Sequence, residues 1–108
     1  MNHSYFIYDE RLDIHVPHLE QPFEDYHLSE RLAIIETWED ARGRIPTKVK
    51  KLEREIERKL QKMNEEDDFE ASCNLNGEIA DLASRINDLH IWYRISQDED
   101  SVPIKRYL

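Results

Sequence analysis

Between Val49 and Tyr93 the apolar residues return every three or four positions, and the pattern is interrupted once, by the acid-rich stretch "NEEDD" at 64–68. Upstream of the break stand Val49, Leu52, Ile56, Leu60 and Met63, with charges at most of the other positions. Downstream, Phe69 is followed by Cys73 or Leu75, then by Ile79, Leu82, Ile86, Leu89 and Tyr93. Gaps of three and four put such residues on one narrow side of a helix, the width that coiled coils use. A seam that narrow does not hold a lone helix in water. Two seams on either side of a short polar break therefore predict an antiparallel helical hairpin of residues 46–66 and 69–95. Leu52, Ile56, Ile79, Leu82 and Ile86 are expected to be buried between its arms. Asp67 or Asp68 suits the cap of the second arm. Phe69 is expected to close the turn end, and small Ser72 and Cys73 to let the helices approach.

Charge supports the pairing. Residues 31–62 carry six acids and ten bases, whereas residues 63–108 carry eleven acids and four bases, so a basic arm would lie beside an acidic one. The chain as a whole carries a net charge of -9, which argues against general nucleic-acid binding and against anionic membranes. With 108 residues it has the size of one domain. Only Gly43 and Gly77 are glycines, which suits long helices better than many tight turns. The lone Cys73 excludes an intrachain disulfide and fits a reducing compartment. No apolar run approaches the ~20 residues of a membrane span, and no basic segment followed by an apolar stretch opens the chain, so a cytoplasmic location is expected.

The flanking segments are less regular. Residues 1–28 hold Tyr5, Phe6, Tyr8, Phe23 and Tyr26 together with Pro17 and Pro22. They read as an extended, aromatic-rich arm in which "SYFIY" and "LDIHV" have the composition of short strands. A first helix is expected over 29–43, capped by Ser29, with Leu32, Ile35 and Trp38 on its apolar stripe and Ile34 beside it. Gly43 is expected as the left-handed residue that ends it, before Ile45-Pro46. In the tail 96–108, Val102, Ile104, Tyr107 and Leu108 are expected to dock back. The fold class is thus all-α, three helices dominated by the hairpin, with extended arms at both ends.

The segment "FEASCNLNGEI" resembles the UVR motif, in which Phe-Glu is followed by two small residues, then Leu, then Ile. Phe69, Glu70, Ser72, Cys73, Leu75 and Ile79 occupy the matching positions, and "EREIERKLQKM" is similar to the motif's first helix. Asn76-Gly77 stands where the motif usually has Arg-Asp, and Asp67 replaces an apolar turn residue. The resemblance implies a helical hairpin that pairs with another hairpin. It does not imply DNA repair.

Residues that carry chemistry are few. Cys73 near a helix start is a candidate thiol, but Asp67, Asp68 and Glu70 crowd the same turn and disfavour a thiolate, so a packing role is expected. His15, His18 and His27, with Asp9, Asp13 and Asp25 nearby, form a loose set for a metal, without the helical His spacing of hydrolytic zinc sites. His90 is expected to pack near the seam. Lys51, Arg54, Arg58 and Lys62 follow each other at helical spacing and offer weak phosphate contacts; the interleaved Glu53, Glu55 and Glu57 favour a salt-bridged surface instead. Met63, Ile91, Trp92 and Ile95 exceed what one seam uses and are the candidate interaction surface. The reading that results is a non-enzymatic interaction module without a cofactor, pairing with itself as a homodimer or with another helical protein. A nucleic-acid accessory role for the basic helix and a metal role for the histidines are the alternatives.

Overall fold

A computed structural model describes residues 5–95. The chain is mostly helical, with one small antiparallel sheet. Strands β1 (Phe6–Asp9) and β2 (Ile14–Pro17) pair with Phe6 opposite Pro17 and Asp9 opposite Ile14. The arm expected to be extended is therefore a β-hairpin, built from the two strand-like segments of the sequence. Its turn closes through the Asp13 N–H, which donates to the Asp9 carbonyl at 2.7 Å. Asp13 holds a φ of 56°, a left-handed conformation that Asp tolerates better than most residues.

Three helical segments follow: α1 (Leu28–Gly43), α2 (Ile45–Glu65) and α3 (Phe69–Tyr93). Helix α1 begins one residue before the expected cap. The Glu30 carboxylate reaches back to accept from the His27 N–H at 3.3 Å, so Ser29 lies inside the helix rather than at its cap. Gly43 is not left-handed either, since no glycine of the described residues has positive φ. Only Arg44 separates α1 from α2, and its own backbone is helical, with φ -89° and ψ -11°. The chain thus passes from α1 into α2 without a loop. One buried stripe runs through the junction, from Ile34 and Trp38 past the partly buried Ala41 to Ile45, Val49 and Leu52. Its gaps remain three and four. The phase of α2 is thereby imposed on α1, which turns Leu32 outward to 54% exposure, leaves Ile35 half-buried and makes Ile34 the core residue.

The break between α2 and α3 falls at 66–68, inside the stretch the sequence marked. Asp68 caps α3, its carboxylate accepting from the Ala71 N–H at 2.9 Å. The two helices run antiparallel, and Lys59 Nζ meets Glu78 Oε1 across them at 2.6 Å. Gly77 is not a point of close approach, because a Cβ built there would meet nothing within 4 Å.

The core lies at one end of the hairpin. Phe6, Leu12, Ile14, Val16, Leu19 and Tyr26 of the N-terminal segment join Ile34, Trp38, Ile45, Val49, Leu89 and Ile95 in one buried cluster. Away from that base the hairpin continues as a two-helix stalk. With extents of 60 × 25 × 21 Å and a radius of gyration of 17.8 Å, the molecule is elongated; a compact chain of this length would have a radius near ~13 Å. Of the five residues expected between the arms, only Leu82 is buried; Leu52, Ile56, Ile79 and Ile86 are half-buried. Two helices cover each other along a line, and among the described residues no third layer covers the stalk. For the same reason Phe69 at the turn is 82% exposed, instead of closing it. Cys73 is exposed rather than packed between the arms. The expected docking of Val102, Ile104, Tyr107 and Leu108 lies outside the described residues.

Candidate interaction surface

The four residues expected to form one surface are divided between the two ends of the hairpin. Met63 is half-buried near the turn. Ile95, at 2% exposure, belongs to the core at the base, and Trp92 packs against that core. The Trp38 indole N–H donates to the Ile95 carbonyl at 3.4 Å, and the Trp38 and Trp92 rings meet edge to face at 5.7 Å. Ile91 is half-buried on the outer side of the same end. The apolar excess at the base is thus taken up within the chain by α1 and by the N-terminal aromatics. Phe6 and Tyr26 are buried there, with the Tyr5 ring edge-on to Tyr26 at 5.4 Å. Tyr93, also expected in the core, is 40% exposed and lies under the Arg42 guanidinium at 4.9 Å.

The histidines do not converge. His18, His27 and His90 are exposed, and His15 stacks at a tilt on Tyr8, 5.1 Å between ring centres. Among the described residues no group of three or more His, Cys, Asp or Glu side chains is placed to hold a metal ion. Titratable groups do gather in a small cleft between the β-hairpin and the α1–α2 junction, lined by Tyr8, Asp13, His15, Asp40, Arg44 and Lys48. These groups satisfy one another. The Tyr8 hydroxyl donates to Asp13, Lys48 Nζ lies 3.0 Å from the other Asp13 oxygen, and Arg44 pairs with Asp40 at 2.8 Å. The cleft is a clasp that ties the sheet to α2.

Two tyrosine–carboxylate pairs set the pH response of this end. The hydrogen bond from Tyr8, followed by Lys48, holds the Asp13 carboxyl below its usual range; the hydrogen bond from Tyr5, 2.6 Å long, does the same for Glu30. Each tyrosine is in turn raised, chiefly by the hydrogen bond to its carboxylate. A carboxylate lowered in the folded state adds stability above its unfolded pKa, and that stability is lost as the pH falls through the folded value. A raised tyrosine adds stability below its unfolded pKa, and this is lost as the pH rises through the folded value. Thermal unfolding is therefore expected to show a flat maximum between roughly pH 5 and pH 9, falling on both sides of it. Tyr5→Phe with Tyr8→Phe should flatten both limbs; unchanged limbs would show that these pairs contribute nothing.

Lys51, Arg54, Arg58 and Lys62 are all exposed on α2. The salt-bridged surface expected around them does not form. Among the described residues no ion pair joins two residues of α2, and Lys59 uses Glu78 of α3 instead.

The two broad faces of the stalk differ in charge. In an antiparallel pair, the flank of α2 holding Lys59 lies on the same side as the flank of α3 holding Glu78. Glu55, Lys59, Glu78, Asp81 and Arg85 line a groove along that side. Nearer the base the same side receives the β-hairpin, through Arg11 to Asp88 at 2.6 Å and Lys48 to Asp13 at 3.0 Å. Helical spacing puts Glu53, Glu57 and Leu60 of α2, and Ser72, Asn76, Ile79, Ala80, Ala83 and Asn87 of α3, on the opposite face. Leu60 is 42% exposed, and the others are exposed or half-buried. Nothing in the described chain covers this face. The sequence carried its signal as an absence: Ser72, Asn76, Ala80, Ala83 and Asn87 follow at gaps of three and four with no charge among them.

No known protein family, curated protein sequence or solved structure matches this chain. No helix of the described residues is long and apolar enough to cross a membrane.

Proposed function

We propose that this chain is a small non-enzymatic interaction protein, an adaptor, regulator or assembly factor, that presents the α2–α3 hairpin to another helical surface. The observation that carries the reading is the half-buried seam along a stalk whose charge-poor face no described residue covers, with Leu60 42% exposed upon it. An exposed leucine beside a half-buried seam, on a face poor in charge, is a feature that partner sites share. The self-satisfied clasp around Asp13 supports a non-enzymatic reading, since its acids and bases are engaged with one another. The unpaired Cys73 suits work in a reducing, cytoplasmic compartment. The test is capture from the native host with the full chain, wild type against Leu60→Glu. The bound protein should be lost with the substitution while helicity is kept. Capture of the same protein by both forms would overturn the reading.

A second reading is a nucleic-acid accessory role. It draws on Lys51, Arg54, Arg58 and Lys62, which are exposed and make no ion pair within 4 Å among the described residues. The net charge of -9 opposes it. Salt-dependent retention on DNA or RNA, abolished by Arg54→Glu with Arg58→Glu, would favour this role over the first.

A further inference from the structure

We infer that the charge-poor face of the stalk is occupied by the same face of a second copy, about a two-fold axis parallel to the stalk, with both turns at the same end. The inference rests on the interaction-module reading and names its partner.

Three observations lead to a second copy. The first is registry. Lys59 meets Glu78 across the hairpin, so Leu60 stands level with the residues around position 77 of α3. Rotation about an axis parallel to the stalk lays α2 of one copy over α3 of the other at unchanged height. Leu60, the most exposed large apolar residue of the two helical arms after Phe69, then comes over Asn76 and Ala80. The small residues on α3 leave the hollow, and Leu60 supplies the knob. The match is reciprocal, as a two-fold contact requires.

The second is charge. A chain of net charge -9 repels its copies through most of its surface. On this face the acids of α2 are Glu53 and Glu57, and the same rotation sets them over Asn87 and the alanines rather than over each other. The opposite face of the stalk, with Lys51, Glu55, Arg58, Lys59, Glu78, Asp81 and Arg85, has no such uncharged track.

The third is area. From Ser72 to Asn87 the face is about 23 Å long at 1.5 Å per residue, and two helices packed side by side are roughly 20 Å wide. That footprint is roughly 450 Å² per copy, and the accessible area buried exceeds the footprint. The total comes to about 1,000 Å², the lower bound of a specific interface. Pairing would also give Ile56, Met63, Leu75 and Ile79 the second layer they lack, since all four are half-buried in the single chain.

The experiment is sedimentation equilibrium of the full chain across the micromolar range. A mass of twice 13.0 kDa is expected. Ala83→Glu, an exposed helical position whose substitution leaves the single chain able to fold, should weaken the dimer by roughly 30-fold or more, the size of a hot-spot loss. Far-UV circular dichroism checks that its helicity is kept. Asn74→Glu, on the charged face, should leave the mass doubled. A mass of 13.0 kDa at every concentration overturns the self-pairing, and the host-capture experiment with Leu60→Glu then judges the wider reading separately. A dimer indifferent to Ala83→Glu, or one broken equally by Asn74→Glu, overturns the assigned face.

Discussion

Trp38→Ala is expected to lower the stability of this domain by about 3–5 kcal/mol, as large-to-small aromatic changes in cores do. Trp38 is 0% exposed and is the largest fully buried side chain. It ties α1 to the end of α3: its ring meets Trp92 edge to face at 5.7 Å, and its N–H donates to the Ile95 carbonyl at 3.4 Å. Alanine removes the ring, opens a cavity beside Ile34 and leaves that carbonyl without its indole donor. A small domain has roughly 5–15 kcal/mol of total stability, so the loss takes a large share of it. Urea denaturation checks this: the midpoint should fall with the slope unchanged. A midpoint within error of the wild type would mean that the base is not the core.

The second large effect is a contrast between two positions on α3. Leu89 is 0% exposed and Ile79 is half-buried ten residues nearer the turn. Leu89→Ala should cost about 2–5 kcal/mol, whereas Ile79→Ala in the dilute single chain should cost less, about 1–2 kcal/mol, because its side chain is only partly buried and stands outside the core cluster. The heptad pattern by itself gives the two positions equal weight. Equal losses would show that the stalk is a continuous part of the core. Hydrogen exchange reads the same gradient, with protection highest around Leu89 and falling toward Phe69.

What the sequence made legible was direction rather than depth. Gaps of three and four from Val49 to Met63 and from Ile79 to Tyr93 told which side of each helix faces its partner, and the acids 65–68 marked the turn while leaving its cap open between Asp67 and Asp68, because both signals are local. Whether a third layer lies over that side is not a local property. Leu52 and Ile56 repeat in the same pattern, yet only Leu52 packs against the core cluster. Gly43 does end α1, but without the left-handed backbone its signature suggested, and the helical backbone at Arg44 joins the two buried stripes into one. Leu32 then lost its place to Ile34, since the rotation of α1 is fixed by Ile45 and not by the apolar content of α1 itself. The strand pair was half-legible: composition marked both strands, and the buried side chains of Phe6, Ile14 and Val16 depend on helices distant in sequence. The burial of Trp92 and Ile95 escaped the sequence for a related reason. Trp92 and Ile95 looked surplus because their cover comes from residues 5–38, whereas the uncovered face is made of small, uncharged residues that hydrophobic patterns do not mark.

Anchored at one end, the stalk is a cantilever. The clasp of Lys48 on Asp13 and of Arg11 on Asp88 grips it near its root, and the free length from Leu82 to the turn at Phe69 is about 20 Å at 1.5 Å per residue. Tilting the root by about 10° sweeps the tip through roughly 3–4 Å, about two-thirds of the 5.4 Å pitch of a helix. A tilt of a few degrees at the root would thus be felt at Phe69 as a change of position. The buried cluster at the base stands as the fulcrum, and the exposed aromatic at the far end is its pointer.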